Sequence, residues 1–160
     1  MGQDRKYSKI PYIVHPINVM QIVRSVSDDE DMLVAAILHD VIEDTPTSIK
    51  EISAEFGDSV GSLVDDLTDP SKPEDGNRKD RKIIDREHTA AAQADAKTIK
   101  LADLIHNTDS IAGSDEHFAR VFMRESEALL EVLKEGNPAL LARAQQSLRL
   151  LGIQSNRFPW

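Results

Sequence analysis

The sequence contains no cysteine and no long hydrophobic run. Without cysteine, the chain can form neither disulfide bonds nor thiolate metal sites. No apolar stretch approaches the roughly 20 residues of a membrane-spanning helix, and no secretory signal opens the chain. These absences predict a cytoplasmic protein that does not associate with membranes.

Positive charge is also scarce, because 19 Lys and Arg stand against 28 Asp and Glu, a formal net charge of −9. A nucleic-acid-binding protein usually has the opposite balance, so we expect no nucleic-acid partner. A polyanionic small molecule stays open as a ligand if local Lys and Arg or a metal supply a positive field. The length of 160 residues, with 40% hydrophobic residues, predicts one folded domain and leaves homo-oligomer formation open.

Helical periodicity runs through nearly all of the sequence. Residues 27–30 and 48–51 each show the Ser-x-x-Glu capping-box pattern, followed by apolar positions at helical spacing. Residues 69–77, DPSKPEDGN, are the clearest predicted loop, and a long helix is predicted to end at Gly136. Asn137 and the proline after it should begin the last helix.

No segment alternates as a β-strand does, and no internal repeat is found. We therefore predict an all-α fold, a compact helical bundle without internal symmetry. A single domain should cover residues 1–153, and residues 154–160 should form an irregular tail.

Four ionisable side chains follow an apolar run in AAILHDVIEDT, residues 35–45. If this helix continues through Asp44, His39 and Glu43 lie one turn apart on one face. Asp40 and Asp44 then lie on the neighbouring face. Burial of such a cluster is unfavourable unless something compensates it. A divalent cation would do so, because it binds carboxylates and neutral imidazole and neutralises their local charge.

Two more candidate ligands lie elsewhere in the chain. His15, in PYIVHP, directly precedes a helix start, and Asp103, in KLADLIHN, interrupts an apolar helix where an unpaired carboxylate is difficult to bury. Together with His39 and Asp40 they form a mixed nitrogen and oxygen set that suits Mn, Fe or Zn.

Each of these residues also has a simpler explanation. His15 alone could cap a helix start, and Asp103 could pair with Lys100. Glu43 and Asp44 could form a solvated helix end. The remaining histidines have no partner at ligand spacing and are interpreted as surface or packing residues: His88, His106 and His117.

The order His…His-Asp…Asp resembles that of the HD-domain metal-dependent phosphohydrolases. More narrowly, the chain resembles the hydrolase domain of Rel/Spo-type proteins and the small alarmone hydrolases. The match runs to about residue 111, and more loosely to about 135. Five segments in the same order carry it: GQDRK (2–6), PYIVHPINV (11–19), AAILHDVIEDT (35–45), EFGDSVGSLVDDLT (55–68) and IKLADLIHNTDSI (99–111).

The resemblance implies an enzyme that hydrolyses a nucleoside 3′-pyrophosphate, (p)ppGpp or a close relative, and releases pyrophosphate, as in the stringent response. It implies that one Mn ion is held by four ligands: His15, His39, Asp40 and Asp103. It further implies that Glu43 and Asp44 position or activate the attacking water. Substrate contacts are implied for Arg5 and Lys6 at the purine, Asn107 along the nucleotide, Ser110 and Ile111 at the sugar and base, and Arg78 and Arg120 at the phosphates.

Two departures from the family leave alternatives open. Relatives have a complete helix before the GQ-x-RK segment, so we expect the N-terminal helix of the family to be missing here. Asp109 stands where many guanosine-type hydrolases carry a basic residue, which leaves an adenosine alarmone such as (p)ppApp open. Two other functions also remain. One is an HD phosphohydrolase for another nucleotide, such as a nucleoside monophosphate, and the other is a non-catalytic nucleotide-binding module.

Overall fold

Nine α-helices and a short 3-10 helix form the part of the chain that the computed structural model describes, residues 11–113 and 115–155. No β-strand occurs in these ranges, so the predicted all-α fold is confirmed. None of these helices is both long and apolar enough to cross a membrane. The helices are α1 (Val14–Arg24), α2 (Glu30–Leu38), α3 (Val41–Asp44), α4 (Ile49–Phe56), α5 (Asp58–Leu67), α6 (Arg78–Ala91), α7 (Ala94–Ile111), α8 (Glu116–Val132) and α9 (Pro138–Ser155), with the 3-10 helix Pro73–Asp75 before α6.

Helix α7 lies at the centre of the bundle, because it packs against α1, α2, α5, α8 and α9. Its residues are buried on several faces, and Ile99, Leu101 and Ile105 are fully buried. Polar residues are buried on this helix as well, among them Lys97 and Thr108. Asp103 lies on this same helix and is only 9% exposed, so α7 brings a carboxylate into the core.

The helix predicted to run through Asp44 is interrupted at His39 and Asp40, and this prediction is wrong. Asp40 has φ −103° and ψ 0°, in the region between helix and strand where turns are found. Nδ1 of His39 donates a 2.7 Å hydrogen bond to the carbonyl oxygen of Ala36. The imidazole thereby satisfies one of the unpaired carbonyls at the end of α2, and the chain can turn at this point.

The two predicted capping boxes have different outcomes. The box formed by Ser48 and Glu51 is present at the start of α4. At the start of α2, however, Asp29 is the N-cap and its Oδ1 accepts a 3.0 Å hydrogen bond from the amide of Met32. The Ser27 hydroxyl instead accepts a hydrogen bond from the amide of Asp29. Both Ser27 and Asp29 are suitable N-cap residues, and their spacing alone did not identify which one caps α2.

The C-terminal helices also differ in their bounds from the prediction. Helix α8 ends at Val132, before the predicted end at Gly136. Gly136 instead marks a close approach between segments, because a Cβ there would lie 2.8 Å from Cδ1 of Leu101. Helix α9 continues to Ser155 and so includes the first two residues of the predicted tail, whose other residues lie outside the described part of the chain.

Candidate metal centre and adjoining cleft

Donor atoms of three predicted ligands converge where α1, α7 and the break between α2 and α3 meet. His15, His39 and Asp103 are all buried, and one donor atom of each lies within 4.8 Å of the other two. Nε2 of His15 is 3.0 Å from Oδ1 of Asp103, and Nε2 of His39 is 3.5 Å from the same oxygen. Two ligands that are each about 2.1 Å from one ion lie roughly 3.0–3.5 Å apart, so this set could hold a divalent cation.

The fourth predicted ligand, Asp40, adjoins this set on its more exposed side. Oδ2 of Asp40 is 3.2 Å from Nε2 of His39 and 3.9 Å from Nε2 of His15. The side chain of Asp40 is 32% exposed, compared with 12% for Asp103. The structure therefore brings all four predicted ligands together, three in the core and one at the edge.

The surroundings of Nε2 of His39 indicate whether these residues fit a cation. This nitrogen is buried and has no hydrogen-bond partner among the described residues, although two carboxylate oxygens lie nearby. Because Nδ1 donates to a carbonyl, the lone pair of the neutral ring is on Nε2. In the neutral ring this lone pair faces carboxylate oxygens, which cannot donate to it, and a cation between them would bind both. The residues fit a divalent metal.

Two side chains hold the carboxylates in place. The hydroxyl of Tyr12 donates a 2.6 Å hydrogen bond to Oδ2 of Asp40. Burial, together with the carboxylates of Asp40 and Asp44, raises the pKa of Tyr12 above its usual range, so the phenol keeps its proton. On α7, Nδ2 of Asn107 donates a 2.8 Å hydrogen bond to Oδ1 of Asp103.

His106 lies behind His15, half-buried and outside the ligand set, which agrees with a packing residue. The Nδ1 atoms of the two rings are 2.7 Å apart, within hydrogen-bond distance, and the ring centroids are 5.0 Å apart. Of the other two histidines, His88 contacts the backbone carbonyl of Asp65 and His117 is exposed.

Electrostatic interactions in the centre outweigh the effect of burial. Burial lowers the pKa of His39, but the carboxylates of Asp103 and Asp40 reverse this effect and raise the pKa to about 10. Burial raises the pKa of Asp103, but His15, His39 and Lys100 hold it well below its usual range. Both carboxylates are therefore ionised at neutral pH and present negative charge to a cation, which would compete with the proton on His39.

The predicted catalytic pair lies on the short helix α3, directly after the ligands. Burial, with the charge of Asp69 as the next cause, raises the pKa of Glu43 to about 7, and Lys100 partly offsets this increase. Side-chain surface remains accessible on both Glu43 and Asp44. A carboxylate with a pKa near neutrality suits general acid–base chemistry, because both protonation states are populated.

A cleft of about 180 Å³ opens beside the candidate metal centre, between α6, α7 and α8. Its wall includes Asp103 and Asn107 and three cationic side chains, Lys82, Arg86 and Lys100. The wall also carries four carboxylates, so the cleft is of mixed charge: Asp69, Asp85, Asp103 and Glu125. Asp69 lies 3.9 Å from Nζ of Lys82 and 3.8 Å from Nζ of Lys100. The three cations can contact an anionic ligand whose reacting end meets a metal that offsets the carboxylates.

The three predicted nucleotide contacts on α7 have different environments. Asn107 lines the cleft as well as contacting Asp103. Ser110 is exposed, and its hydroxyl donates to the carbonyl of His106. Ile111 is buried in a small apolar cluster with residues of α8 and α9. Of the three, only Asn107 contributes to the wall of the cleft that the structure describes.

Neither predicted phosphate contact lines this cleft, and each forms an ion pair, although the partner of Arg78 belongs to the wall. Arg78 donates two hydrogen bonds, of 2.7 and 2.8 Å, to the carboxylate of Glu125 and so links α6 to α8. Arg120 pairs with Glu116 one turn earlier on α8. The predicted purine contacts lie outside the described residues: Arg5 and Lys6.

Several residues of the site were not predicted, although some had a signal in the sequence. Lys100 was named only as an alternative partner of Asp103, and its Nζ does lie 3.9 Å from Oδ2 of the aspartate, but its place in the wall of the cleft was not predicted. Tyr12 belongs to the same PYIVHP segment as His15. Lys82 and Arg86 are one turn apart on α6, but the many charges of this helix gave no reason to prefer them.

Comparison with known proteins gives consistent results. A family model described as "HD domain" matches residues 1–134. The guanosine-3′,5′-bis(diphosphate) 3′-pyrophosphohydrolase MESH1 of Mus musculus is 30% identical over 150 residues, covering 89% of this chain and 82% of that protein. MESH1 of Drosophila melanogaster is 41% identical over 99 residues, covering 61% of this chain and 54% of that protein. A probable pyrophosphohydrolase of this type from Synechocystis is 35% identical over 135 residues, 82% of this chain but only 18% of that protein.

A solved structure agrees with these sequence matches. It is described as a metazoan ortholog of SpoT that hydrolyses ppGpp and plays a role in starvation responses. It superposes with a TM-score of 0.81 at 31% identity and covers 94% of this chain and 88% of that one. The chain thus belongs to the HD-domain family, in the branch that contains the SpoT-like guanosine-3′,5′-bis(diphosphate) 3′-pyrophosphohydrolases.

Proposed function

We propose that this protein hydrolyses the 3′-pyrophosphate of an alarmone nucleotide, (p)ppGpp or (p)ppApp, and releases pyrophosphate. Relatives in the same branch, MESH1 of Mus musculus and the metazoan SpoT ortholog, are described as acting on ppGpp. The match to the mouse protein covers most of both chains, which makes a shared activity the simplest expectation.

One observation carries the proposal: Asp103 belongs both to the candidate ligand set and to the wall of the cleft, which also includes three cationic side chains. A nucleotide whose phosphates occupy the cleft therefore reaches the ligands without crossing the protein. Lys82, Arg86 and Lys100 would offset the charge of the phosphates, as phosphoryl transfer requires. Asn107 would contact the nucleotide from the same wall.

We assign the metal to His15, His39, Asp40 and Asp103, and we propose Mn as the resident ion. This mixed set of imidazole and carboxylate suits a first-row divalent metal. When bound, the ion supplies Lewis-acid polarisation of a phosphoryl oxygen. The imidazoles bind in their neutral form, so the proton that the carboxylates favour on His39 must leave.

Glu43 and Asp44 would act on the attacking water. With a pKa near 7, Glu43 can accept a proton from water as the bond to phosphorus forms, and later return it to the leaving oxygen. Asp44 would orient the same water, in line with its place beside Glu43 on α3. Arg78 and Arg120, and the purine contacts Arg5 and Lys6, remain predictions for substrate binding.

A direct assay tests the proposal. The protein is incubated with Mn and, separately, ppGpp, ppApp, a nucleoside monophosphate and a nucleoside triphosphate, and the released pyrophosphate and phosphate are quantified. We expect pyrophosphate from at least one alarmone and none after chelation of the metal. Phosphate from the monophosphate, with no pyrophosphate from either alarmone, would instead indicate an HD phosphohydrolase of another specificity. Nucleotide binding without any product would indicate a binding module.

A further inference from the structure

The ring of His15 contacts different partners through its two nitrogens. Nε2 lies 3.0 Å from Oδ1 of Asp103, inside the ligand set. Nδ1 lies 2.7 Å from Nδ1 of His106, on the opposite side of the ring. His15 is 3% exposed, so water does not compete freely for this second contact. The orientation of His15 therefore depends on a residue of α7 that is not itself in the ligand set.

A contact of 2.7 Å between two ring nitrogens requires one proton, shared in a defined direction. If Nε2 of His15 is to bind a metal, its lone pair must be free, so the proton of the neutral ring lies on Nδ1. His106 must then accept through Nδ1 and carry its own proton on Nε2. The geometry of this pair thus constrains the tautomers of both rings.

We propose that His106 is a positioning residue for the metal centre: it accepts a hydrogen bond from Nδ1 of His15 and thereby fixes the ring and tautomer that leave Nε2 free for the metal. This inference rests on the proposed metal site, and it adds a residue to which neither the predicted ligands nor the predicted substrate contacts gave a role. Outer partners of metal-bound histidines commonly act in this way, and their loss typically reduces metal affinity by about 10- to 100-fold.

The position of His106 explains how it acts without contacting the metal itself. It lies between Asp103 and Asn107 in sequence, but its ring contacts α1, whereas Asn107 contacts Asp103 on its own helix. Helix α7 thus holds one ligand directly, through Asp103, and a second one indirectly, through His106. The contact also joins α1 to α7, so its loss should change the orientation of His15 more than that of any other ligand.

Two substitutions separate positioning from simple packing. His106→Leu keeps the bulk of the side chain but removes the hydrogen-bond acceptor. We expect the affinity for Mn, measured by calorimetry, to fall about 10- to 100-fold. His106→Asn places an amide oxygen where Nδ1 of histidine lies, and we expect it to retain most of the affinity. His88→Leu is the matched control, because it removes a histidine hydrogen bond of 2.9 Å away from the ligands, and its affinity should equal that of the wild type.

A spectroscopic measurement tests the tautomer without an activity assay. Nitrogen-15 NMR of the imidazole rings in the wild type loaded with diamagnetic Zn should show His15 with its proton on Nδ1, and His106→Leu should shift the Nδ1 resonance of His15 and speed the exchange of its proton with water. Equal Mn affinity and an unchanged His15 spectrum in His106→Leu would overturn the positioning role, as would a loss in His106→Asn as large as that in His106→Leu. If the wild type binds Mn but releases no pyrophosphate from either alarmone, the proposed function fails while this inference stands.

Discussion

The hydroxyl of Tyr12 donates a 2.6 Å hydrogen bond to Oδ2 of Asp40, and so connects the segment before α1 to the turn between α2 and α3. The phenol is only partly buried, but its raised pKa keeps it a donor at all physiological pH values. The oxygen that it holds is the one nearest to both imidazoles of the ligand set.

Tyr12→Phe should weaken metal binding while it leaves the fold intact. A hydrogen bond to a charged group contributes about 1.5–3 kcal/mol, and loss of an outer partner reduces metal affinity by about 10- to 100-fold. Calorimetric titration with Mn measures the effect. Thr68→Val is the control, because it removes a hydroxyl that bonds a helix carbonyl away from the ligands. Equal Mn affinity of Tyr12→Phe and the wild type would show that Asp40 needs no such support.

Asp103→Asn should abolish measurable metal binding and activity together. The substitution keeps the shape of the side chain but removes the negative charge that attracts a cation. Oδ1 of Asp103 lies within 3.5 Å of both imidazoles. We expect an affinity loss well above the roughly 100-fold that an outer residue causes. Asp109→Asn, exposed on the same helix, should bind Mn as the wild type does. Retention of tight Mn binding by Asp103→Asn would remove this residue from the site.

The raised pKa of Glu43 predicts a pH-dependent stability. In the folded, metal-free protein the pKa is about 7, above the value of 4.5 that is usual for glutamate, so the folded state binds this proton more tightly than the unfolded state. This contribution is present below pH 4.5 and is lost as the pH rises through 7. Glu43→Gln should therefore stabilise the protein at about pH 8, with a smaller gain at about pH 5. Urea unfolding in the presence of a chelator measures the free energy of unfolding at both pH values. An increase on substitution that is independent of pH would contradict the assigned pKa.

Gly136→Ala should destabilise the fold. The added Cβ would lie 2.8 Å from Cδ1 of Leu101, 3.1 Å from the backbone of Lys97 and 3.2 Å from the carbonyl of Leu133. Backbone atoms cannot move aside easily, and we expect a loss of about 1–3 kcal/mol in the free energy of unfolding. Gly152→Ala is the matched control, because its Cβ meets only the flexible end of Met123 and alanine favours the helix. Urea unfolding should show a neutral or stabilising effect there.

Arg86, in the wall of the cleft, should matter more for substrate binding than Arg78, which is bonded to Glu125. Arg86→Gln removes a charge that is in no ion pair among the described residues, and we expect KM to rise about 10-fold or more with the alarmone that the protein hydrolyses. Arg78→Gln removes a charge already bonded to Glu125, and KM should change less than about 3-fold. The reverse order of effects in steady-state kinetics would favour the phosphate contact predicted for Arg78.

The sequence predicted the fold class from local patterns, whereas the assignment of four ligands to one ion came from the resemblance to the HD-domain phosphohydrolases. Period and caps determine helices, and a buried carboxylate in KLADLIHN or an imidazole in PYIVHP needs a partner wherever it lies. The break at His39 could not be predicted, since it depends on a hydrogen bond from the side chain to Ala36 rather than on a helix-breaking residue. The contact of His106 with His15 could not be predicted, because the two residues are on different helices and sequence spacing carries no information about such a pair.

The assembly of the ligand set from distant segments has a consequence for a chain without cysteine. His15, His39 and Asp103 come from three different helical segments, so one cation bound to them would close two long loops of the polypeptide at once. A cross-link of this kind restricts the unfolded chain only when the metal stays bound, and it therefore acts as a reversible counterpart of a disulfide. Depletion of the metal would then lower the melting temperature and the activity together, so that the supply of the ion also controls how long the folded protein persists.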